Sequence, residues 1–380
     1  MSLKSYVKAH APKSLLPLIK STYRTIAWPV RKITRPIKLH QVQKKASLYL
    51  PYYQDELSRE ILADRLQFLR TGDINIFLDR AEKTGMNFHG IFYYAERSGY
   101  CFMSPEGSKY SGLIVIYDNE GSYFRYVKRL LSSCDWKDKY RFMALTDFLN
   151  GAEVSDTEMI IPVLTSSGHK KLERGRNVNA YINNSLLHSS REDLQYFDVF
   201  SPVDDEIVVD AGSYDGKTAI QFLKWGKGKV KHVYSFEFDP DNAVRCEENL
   251  KPYADKITLV KKGTWDKDEV LHVNPSGTSG STIRSEGSTA VYLTSIDNVV
   301  KDEHVTFIKM DIEGAELKSL MGARNAIIKN HPRLAICVYH KDSDLYEIPG
   351  YILSLVPEYK FYLRHYSSCP YETVLYAYCD

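Results

Sequence analysis

The sequence predicts an open, doubly wound α/β fold in its C-terminal half, and three observations support this prediction. Apolar strands alternate there with amphipathic helices. The alternation closes with two strands, Lys360–His365 and Glu372–Tyr378, which are joined by a loop and are typical of a β-hairpin. Acidic, glycine and histidine residues directly follow the strands, and ligands of such sheets bind beyond the carboxyl ends of the strands. We therefore expect the chemistry at that edge of the sheet.

The elements of this half can be placed in order along the chain. Four of the strands end at or next to an acidic residue or a histidine, namely Asp210, Glu237, Asp311 and His340. The predicted elements before the hairpin are a helix at Glu192–Phe200, a strand at Glu206–Asp210, a helix at Lys217–Trp225, a strand at Val233–Phe238, a helix at Asp241–Leu250, a strand at Ile257–Lys262, a polar stretch over 263–290, a strand at Val305–Met310, a helix at Leu317–Lys329 and a strand at Leu334–Tyr339.

A smaller α/β domain is predicted over residues 55–190, ahead of the domain at 191–380. Ile74–Gly85 occupies the position of a glycine-rich phosphate turn but has no glycine before Gly85, so we expect no dinucleotide site there. The polar segment Asn177–Ser190 is expected to be the linker. The pattern gives helices at Glu56–Leu69 and Tyr123–Leu131, and apolar runs that are expected to be strands at Ile74–Leu78, Ile91–Tyr94, Leu113–Tyr117 and Met159–Leu164.

The charge of the chain is divided unevenly. Residues 1–54 hold 11 Lys and Arg residues and no Asp or Glu, whereas the remaining residues hold 39 basic and 48 acidic residues. We expect this basic N-terminal arm to be a solvated, partly helical extension of the body. The alternative is a tether to an anionic membrane surface or to an acidic protein partner. The acidic body argues against nucleic acid as a partner, because it repels phosphate backbones.

Composition excludes several classes of protein. With 43% hydrophobic and 26% charged residues, the 380-residue chain is neither disordered nor fibrous. No apolar run approaches the roughly 20 residues of a transmembrane helix, and the N-terminus lacks the apolar core of a secretory signal. The six cysteines form no CxxC pair, so we expect reduced thiols and a cytoplasmic location.

The first turn of the C-terminal half, Asp210-x-Gly212-x-x-x-Gly216, lets the backbone pass close to a ligand. It lacks the third glycine of the dinucleotide fingerprint, so it implies neither a pyrophosphate nor a nicotinamide dehydrogenase. Glu237, at the end of the next strand, can hold both hydroxyls of a ribose. A nucleoside without a pyrophosphate predicts S-adenosylmethionine as the cofactor. The alternative is a plain α/β turn with Glu237 in solvent.

Residues 206–380 resemble the FkbM family of S-adenosylmethionine-dependent methyltransferases. The resemblance is carried by the stretches VVDAGSYDGKTAIQF, VYSFEFDPDN, TSIDNVV, FIKMDIEGAELKSLMGA and LAICVYHKDSDLYEIP, and by the ending YKFYLRHYS…ETVLYAY. It implies the Rossmann-like class I methyltransferase fold, with a seven-stranded sheet and a terminal β-hairpin. It also implies methyl transfer, most often to a hydroxyl oxygen of a sugar or of a secondary metabolite.

The resemblance also implies a set of cofactor-binding residues. Trp265 and Asp266, after the third strand, lie where such enzymes contact adenine, and Asp311 lies beside the expected place of the cofactor sulfur. The full expected set is Asp210, Gly212, Ser213, Asp215, Gly216, Glu237, Phe238, Trp265, Asp266 and Asp311.

Three residues are candidates for the catalytic base. A hydroxyl acceptor needs a base, because its own pKa lies far above neutrality. Asp311, Glu313 and His340 lie at the ends of neighbouring strands, and we favour His340 because histidine is best matched to neutral pH. Alternatively, the carboxylates cap a helix, the histidine is structural, or the three residues hold a divalent cation that acidifies the acceptor.

The resulting expectation is an O-methyltransferase acting on a sugar hydroxyl in a polysaccharide or glycoconjugate. A small secondary metabolite is the alternative acceptor, and a non-catalytic scaffold that retains the methyltransferase fold is the alternative function. The loop Ser279–Ser281 and the pair His365 and Tyr366 are expected to border the acceptor pocket. The sequence leaves open whether the protein forms homo-oligomers.

Overall fold

The computed structural model describes residues 38–84, 91–95, 99–103, 112–133, 139–155, 158–175, 187–188, 190–191, 193–273 and 289–380. The chain divides into two compact units, residues 1–48 and residues 49–380. In the first unit, the described residues form helix α1 over 38–47. The rest of the predicted basic arm up to residue 37 lies outside the described residues. The domain boundary predicted at 190/191 stays a prediction.

The first part of the second unit contains two small sheets. A parallel sheet has the strand order β4-β3-β5, and an antiparallel sheet has the order β2-β1-β6. The elements are α2 (Glu56–Thr71), α3 (Asn75–Lys83), β1 (Ile91–Ala95), β2 (Gly99–Met103), β3 (Gly112–Tyr117), α4 (Ser122–Ser133), β4 (Tyr140–Ala144), α5 (Leu145–Leu149), β5 (Glu158–Val163), α6 (Ser166–Gly175) and β6 (Leu187–His188).

The prediction of a strand at Ile74–Leu78 was wrong, because Ile74 is the N-cap of helix α3 and the other four residues lie in its first part. Ile76, Phe77 and Ala81 are buried on one face of that helix, which explains the apolar run. A short apolar run has no period that separates a strand from a buried helical turn. The apolar runs Leu113–Tyr117 and Met159–Leu164 do form parallel strands, β3 and β5, whereas Ile91–Tyr94 lies in the antiparallel sheet. In the predicted linker, residues 177–186 and 189 lie outside the described residues.

The C-terminal half consists of a large sheet flanked by helices and a small accessory sheet. Its elements are β7 (Glu206–Ala211), α7 (Lys217–Gly226), β8 (Val230–Phe236), α8 (Pro240–Leu250), β9 (Ile257–Val260), β10 (Gly263–Thr264), β11 (Glu269–Val273), β12 (Thr289–Thr294), α9 (Ile296–Val300), β13 (Phe307–Met310), α10 (Glu316–Met321), α11 (Arg324–Asn330), β14 (Arg333–Cys337), α12 (Asp344–Leu355), β15 (Lys360–His365) and β16 (Thr373–Tyr378).

The large sheet confirms the predicted fold class. Its seven strands have the order β15-β16-β14-β13-β7-β8-β9, and β16 runs antiparallel to both of its neighbours. This is the Rossmann-like, doubly wound arrangement of class I methyltransferases with its terminal hairpin. The central strands β7 and β13 are buried along their whole length, as expected for parallel strands that are covered on both faces.

Two predictions about individual elements of this half were wrong, and the accessory sheet and one helix were not predicted. The described residues 193–200 form turns instead of a helix, and Tyr196 there has a left-handed φ of 76°. The helix predicted at Leu317–Lys329 is split in two around Gly322, where an added Cβ would lie 1.8 Å from the carbonyl oxygen of Trp265. The polar stretch over 263–290 contains strands of the accessory sheet, with the order β10-β12-β11. Helix α12 was not predicted.

None of the helices in the described ranges combines the length and the apolar character that crossing a bilayer requires.

Candidate active site

The carboxyl ends of β7, β8, β13 and β14 lie side by side at one edge of the large sheet. Asp210 is the penultimate residue of β7, Glu237 follows β8, Asp311 follows β13 and His340 lies three residues beyond β14. The fold therefore brings together four residues that the sequence singled out at separate strand ends.

The turn after β7 has a backbone that only glycine can form at its first position. Gly212 has a φ of 86°, and an added Cβ would lie 1.9 Å from the carbonyl oxygen of Asp311. Gly216 has a φ of 80° and precedes the first residue of helix α7, where an added Cβ would crowd Leu250. The turn therefore lies directly against the residue that follows β13, with no room for a side chain between them.

Glu237 is held in place by the backbone of two neighbouring turns. Its Oε2 accepts the N–H of Tyr214 at 2.9 Å, and its Oε1 accepts the N–H of Asp239 at 2.8 Å. The residue is 6% exposed, and burial raises its pKa to about 7 against the opposing effect of those two amide donors. Because a carboxylate offers about four lone pairs, Glu237 can still accept further hydrogen bonds.

The other predicted residues of the first turn have different environments. Asp210 is completely buried and its Oδ1 lies 3.0 Å from Nζ of Lys309. Ser213 is also buried, and its hydroxyl lies 2.5 Å from that of Ser235. Asp215, at the start of helix α7, forms an ion pair with Lys217. Asp210 and Ser213 thus hold the turn in place from inside the protein.

Phe238, Trp265 and Asp266 lie beside short strand β10. Phe238 packs against Gly263, and the backbone N–H of Trp265 donates to Thr294 across the accessory sheet. Lys318 lies 2.6 Å from the carboxylate of Asp266, and its ammonium group is 5.8 Å from the centre of the Trp265 ring. These side chains are half-buried, so their surfaces are available to a ligand.

Asp311 receives two hydrogen bonds from tyrosines. The hydroxyl of Tyr196 donates to Oδ2 at 3.1 Å and the hydroxyl of Tyr339 donates to Oδ1 at 3.2 Å. Burial raises the pKa of both phenols well above the usual value, so they remain donors. The two phenols fix the orientation of the Asp311 carboxylate.

His340 lies among three carboxylates. Its Nδ1 is 2.8 Å from Oε1 of Glu316, which is completely buried. Its Nε2 is 3.5 Å from Asp311 and 3.6 Å from Glu313. Asp311, Glu316 and His340 are spaced closely enough for a cation, with ligand atoms within 4.8 Å of one another. However, Glu316 and Asp311 face opposite nitrogens of the ring, so one cation on His340 cannot reach both along the bond directions of the imidazole.

The protonation of this cluster differs from that of isolated side chains. Burial lowers the pKa of His340, but the contact with Glu316 and the charges of Asp311 and Glu313 outweigh it and raise the pKa to about 9. Burial raises the pKa of Glu313 to about 7, although the nearby His340 opposes that shift. At neutral pH, therefore, the histidine holds a proton and Glu313 can exchange one.

The loop that carries Glu313 has a strained backbone. Glu313 has a left-handed φ of 55°, which is uncommon for a residue other than glycine, and Gly314 follows with a φ of 92°. Ile312 and Gly314 both donate their backbone N–H groups to Oε1 of Glu316, at 3.0 and 3.3 Å. Residues held in such conformations cluster at active sites.

Sequence reasoning missed four residues of this site: Lys309, Tyr196, Tyr339 and Glu316 in its role beside His340. Lys309 has a signal in the sequence, because a lysine inside the apolar strand Phe307–Met310 needs a buried partner. Tyr196 has no such signal, since it lies 115 residues before Asp311 in a segment of turns.

The predicted borders of the acceptor pocket are only partly described. Ser279–Ser281 lies outside the described residues. His365 and Tyr366 are buried: His365 contacts the hydroxyl of Thr373 at 2.8 Å, and Tyr366 donates to Asp198 at 2.6 Å. Burial lowers the pKa of His365 to about 3, so this histidine is neutral.

Comparison with known proteins finds a family match in the C-terminal half of the chain. Residues 210–367 match the family model described as methyltransferase FkbM domain. Over 183 residues the chain is 26% identical to 2-O-methyltransferase NoeI of Sinorhizobium fredii (strain NBRC 101917 / NGR234), a match that covers 41% of this chain and 73% of NoeI.

Solved structures that match the chain include methyltransferase FkbM from Methylobacillus flagellatus KT, with 18% identity, a TM-score of 0.47 and coverage of 85% of this chain and 99% of that one. Another is the SAH-bound Podospora anserina methyltransferase PaMTH1, with 11% identity, a TM-score of 0.30 and coverage of 46% and 72%. The family match and the seven-stranded sheet lead to one conclusion: residues 210–367 belong to the FkbM methyltransferase family.

Proposed function

We propose that the protein is an S-adenosylmethionine-dependent O-methyltransferase whose acceptor is a sugar hydroxyl of a polysaccharide or glycoconjugate. One observation carries the proposal: the glycine turn, Glu237 and the cluster around His340 lie at the same edge of the sheet, and Gly212 packs on Asp311. A nucleoside held at the turn is thereby next to groups that can orient and deprotonate an acceptor.

The turn and its neighbours fit the cofactor. Gly212 leaves the first position of the turn without a side chain, and Glu237 can accept hydrogen bonds from ribose hydroxyls in addition to its two amide donors. Phe238 and Trp265 offer apolar ring surface for a base, and Asp266 can accept from an exocyclic amine. When bound, S-adenosylmethionine supplies a methyl group already activated by its sulfonium.

We assign the general base to Glu313 in place of His340, which the sequence favoured. A base works best when its pKa is close to the operating pH, and burial raises the pKa of Glu313 to about 7. His340, with a pKa of about 9, already carries a proton and cannot take another. Glu313 is 28% exposed, so an acceptor hydroxyl can reach it.

His340 and Asp311 then position the base and the acceptor. The protonated ring of His340 is held by Glu316 on one side and balances the charges of Asp311 and Glu313 on the other. Asp311, fixed by its two tyrosines, can accept a hydrogen bond from a second hydroxyl of the acceptor. Vicinal hydroxyls are characteristic of sugars.

Two further observations support the acceptor class. NoeI is named a 2-O-methyltransferase, which supports oxygen as the methylated atom. The ring of Tyr371 is 37% exposed and lies 6.0 Å from that of Tyr339, so it offers an aromatic face beside the cluster on which a sugar ring can stack.

The test is methyl transfer by the purified full-length chain. Methyl-labelled S-adenosylmethionine is incubated with nucleotide sugars, oligosaccharides and small aromatic alcohols, and the product is analysed by NMR to locate the new methyl group. We expect label on a sugar oxygen. Label on a small non-sugar metabolite contradicts the acceptor class, and binding of S-adenosylhomocysteine without transfer to any acceptor favours a scaffold.

The Glu313→Gln and His340→Gln variants separate the roles at the cluster. If Glu313 is the base, Glu313→Gln lowers kcat by about a hundredfold or more and removes the dependence of kcat on a group with a pKa near 7. In His340→Gln, kcat is expected still to depend on a group with a pKa near 7, but to change less with pH than in the native protein. If His340→Gln abolishes it and Glu313→Gln does not, His340 is the base.

A further inference from the structure

A lysine lies fully buried in the centre of the large sheet. Lys309 is 2% exposed and Asp210, its register neighbour on β7, is completely buried. Their charged atoms are 3.0 Å apart. Removing two charges from water costs several kcal/mol each, so a pair of this kind often adds no net stability compared with apolar residues. The pair calls for an explanation other than the stability of the fold.

The ammonium group of Lys309 also contacts the glycine turn. Besides Asp210, its Nζ donates to the carbonyl oxygen of Gly212 at 2.7 Å and to that of Ala211 at 3.3 Å. An ammonium group has three N–H donors, so these three partners use its full capacity. Two of the three partners are backbone atoms of the segment that begins the proposed cofactor turn.

The same segment is joined to the residue that follows β13. The carbonyl oxygen of Ala211 accepts the N–H of Asp311 at 3.1 Å, and Gly212 packs directly against Asp311. On the opposite side, the N–H groups of Gly212 and Ser213 both donate to Phe236 on β8. The turn is therefore fixed between β13 and β8. The charged ammonium group of Lys309 adds hydrogen bonds to two of its carbonyl oxygens.

We propose that Lys309 is a positioning residue that holds the Gly212 turn in the shape that binds the cofactor and keeps it in register with Asp311. This inference rests on the proposed function for the identity of the cofactor. Asp210 serves as the counter-ion that allows a lysine to occupy this place, and does not contact the cofactor itself.

The test separates the shape of the turn from the stability of the fold. In the double variant Asp210→Asn plus Lys309→Met, no buried charge is left without a partner. We expect its melting temperature to lie close to that of the native protein, whereas its affinity for S-adenosylhomocysteine falls about tenfold or more, because the bonds to the two turn carbonyls are lost. Native affinity in the folded double variant overturns the proposal.

A second ion pair in the same sheet, in which Glu206 is buried and Arg333 is partly exposed, serves as a control. Arg333 and Glu206, at the amino ends of β14 and β7, are joined at 2.6 Å. This pair lies at the opposite edge from the glycine turn. The double variant Glu206→Gln plus Arg333→Met is expected to change the melting temperature and to keep native affinity for S-adenosylhomocysteine. If both double variants lose affinity equally, the effect is a general one on the sheet and the proposal is wrong.

Hydrogen exchange keeps the proposal testable apart from the proposed function. Without any ligand, we expect the backbone amides of residues 211–215 to exchange faster in the Asp210→Asn plus Lys309→Met variant than in the native and control proteins. Unchanged exchange overturns the proposal, whether or not the native protein binds S-adenosylhomocysteine. A native protein that does not bind that nucleoside contradicts the proposed function alone.

If the first double variant does not fold, Lys309→Arg replaces it. A planar guanidinium keeps the charge but cannot place three donors as a compact ammonium does. We expect a folded protein with affinity reduced about threefold or more and with faster exchange over 211–215. Native values for both measurements overturn the proposal.

Discussion

The molecule contains two strand–turn–helix units of similar outline, one in each part of the second unit. In the first, β3 leads through residues 118–121 into α4. In the second, β7 leads through residues 212–216 into α7. Both strands have a parallel neighbour on each side, and both turns follow the carboxyl end of their strand.

The first turn is bonded to the residue beyond a neighbouring strand through the side chain of Asp118. Thr165 lies just beyond the end of neighbouring strand β5. Both its N–H, at 2.9 Å, and its hydroxyl donate to the carboxylate of Asp118. An added Cβ at Gly168 would lie 2.2 Å from that carboxylate. The Asp118 carboxylate thus bonds across the end of the sheet at which a ligand of an α/β sheet ordinarily binds.

The second turn is kept open by glycine and held in place from beneath by the Asp210 and Lys309 pair. Gly212 and Gly216 have left-handed φ values, and the acidic side chain that faces the turn, Glu237, is anchored by backbone donors. The strand–turn–helix outline therefore does not by itself create a ligand site. The two turns differ in their own residues: the first carries the side chain of Asp118, which bonds to Thr165, whereas the second has a left-handed glycine at its first and last positions.

The largest expected difference between the two turns comes from adding a methyl group to each. Gly212→Ala forces a Cβ to within 1.9 Å of a backbone oxygen at a φ of 86°, so we expect a loss of stability above about 2 kcal/mol and loss of affinity for S-adenosylhomocysteine. Thermal melts and calorimetric titration measure both effects.

The matched change in the first turn is Gly121→Ala. Its added Cβ meets only the side chain of Asn119, at 2.9 Å, and Gly121 does not have a left-handed φ. We expect a small effect on stability and none on affinity. Equal effects at the two positions would show that the two turns do not differ in their tolerance of an added side chain.

Removing the acidic side chain of each unit should change nucleoside affinity only in the second. We expect Glu237→Ala to reduce affinity for S-adenosylhomocysteine about a hundredfold, because the carboxylate can no longer accept hydrogen bonds from the two ribose hydroxyls of the nucleoside. Asp118→Ala should leave that affinity native. Calorimetric titration of both variants tests the comparison, and a loss of affinity in Asp118→Ala contradicts it.

The cluster around His340 predicts a dependence of stability on pH. Its folded-state pKa of about 9 lies above the ordinary value of 6.5, so its contribution is complete below pH 6.5 and is lost as the pH rises through 9. Between pH 6.5 and 9 we expect the native free energy of unfolding to fall by at least about 1 kcal/mol more than that of His340→Gln. Denaturant titrations measure the difference, and His304→Gln, at an exposed histidine, is the control.

The smallest expected effect concerns Lys318, which lies beside the surface that we propose binds the adenine base of the nucleoside. The pair with Asp266 is half exposed, and exposed pairs contribute little. We expect Lys318→Ala to change affinity for S-adenosylhomocysteine by less than about threefold. A tenfold loss would mean that Lys318 contacts the nucleoside directly, and the side chains beside β10 would then need a new assignment.

Much of the large sheet was predictable because its signals are local. The strand at Glu206–Asp210 was placed to within a residue, since buried parallel strands have continuous apolar runs. The antiparallel hairpin Lys360–His365 with Glu372–Tyr378 was placed equally well, and its first strand alternates between buried and half-buried residues. The helix predicted at Leu317–Lys329 was broken by the packing of Gly322 on Trp265, a contact that no local pattern records.

The sequence by itself determined the alternation of strands and helices and the residues that stand at the strand ends, because hydrophobic period and chain position are local properties. Only the tertiary structure decided the partners: Lys309 under Asp210 and the turn, Glu316 beside His340, and Tyr196 on Asp311 from 115 residues away. Burial and charge, summed over all of these elements, set which groups hold a proton, and so moved the proposed base from the histidine to Glu313.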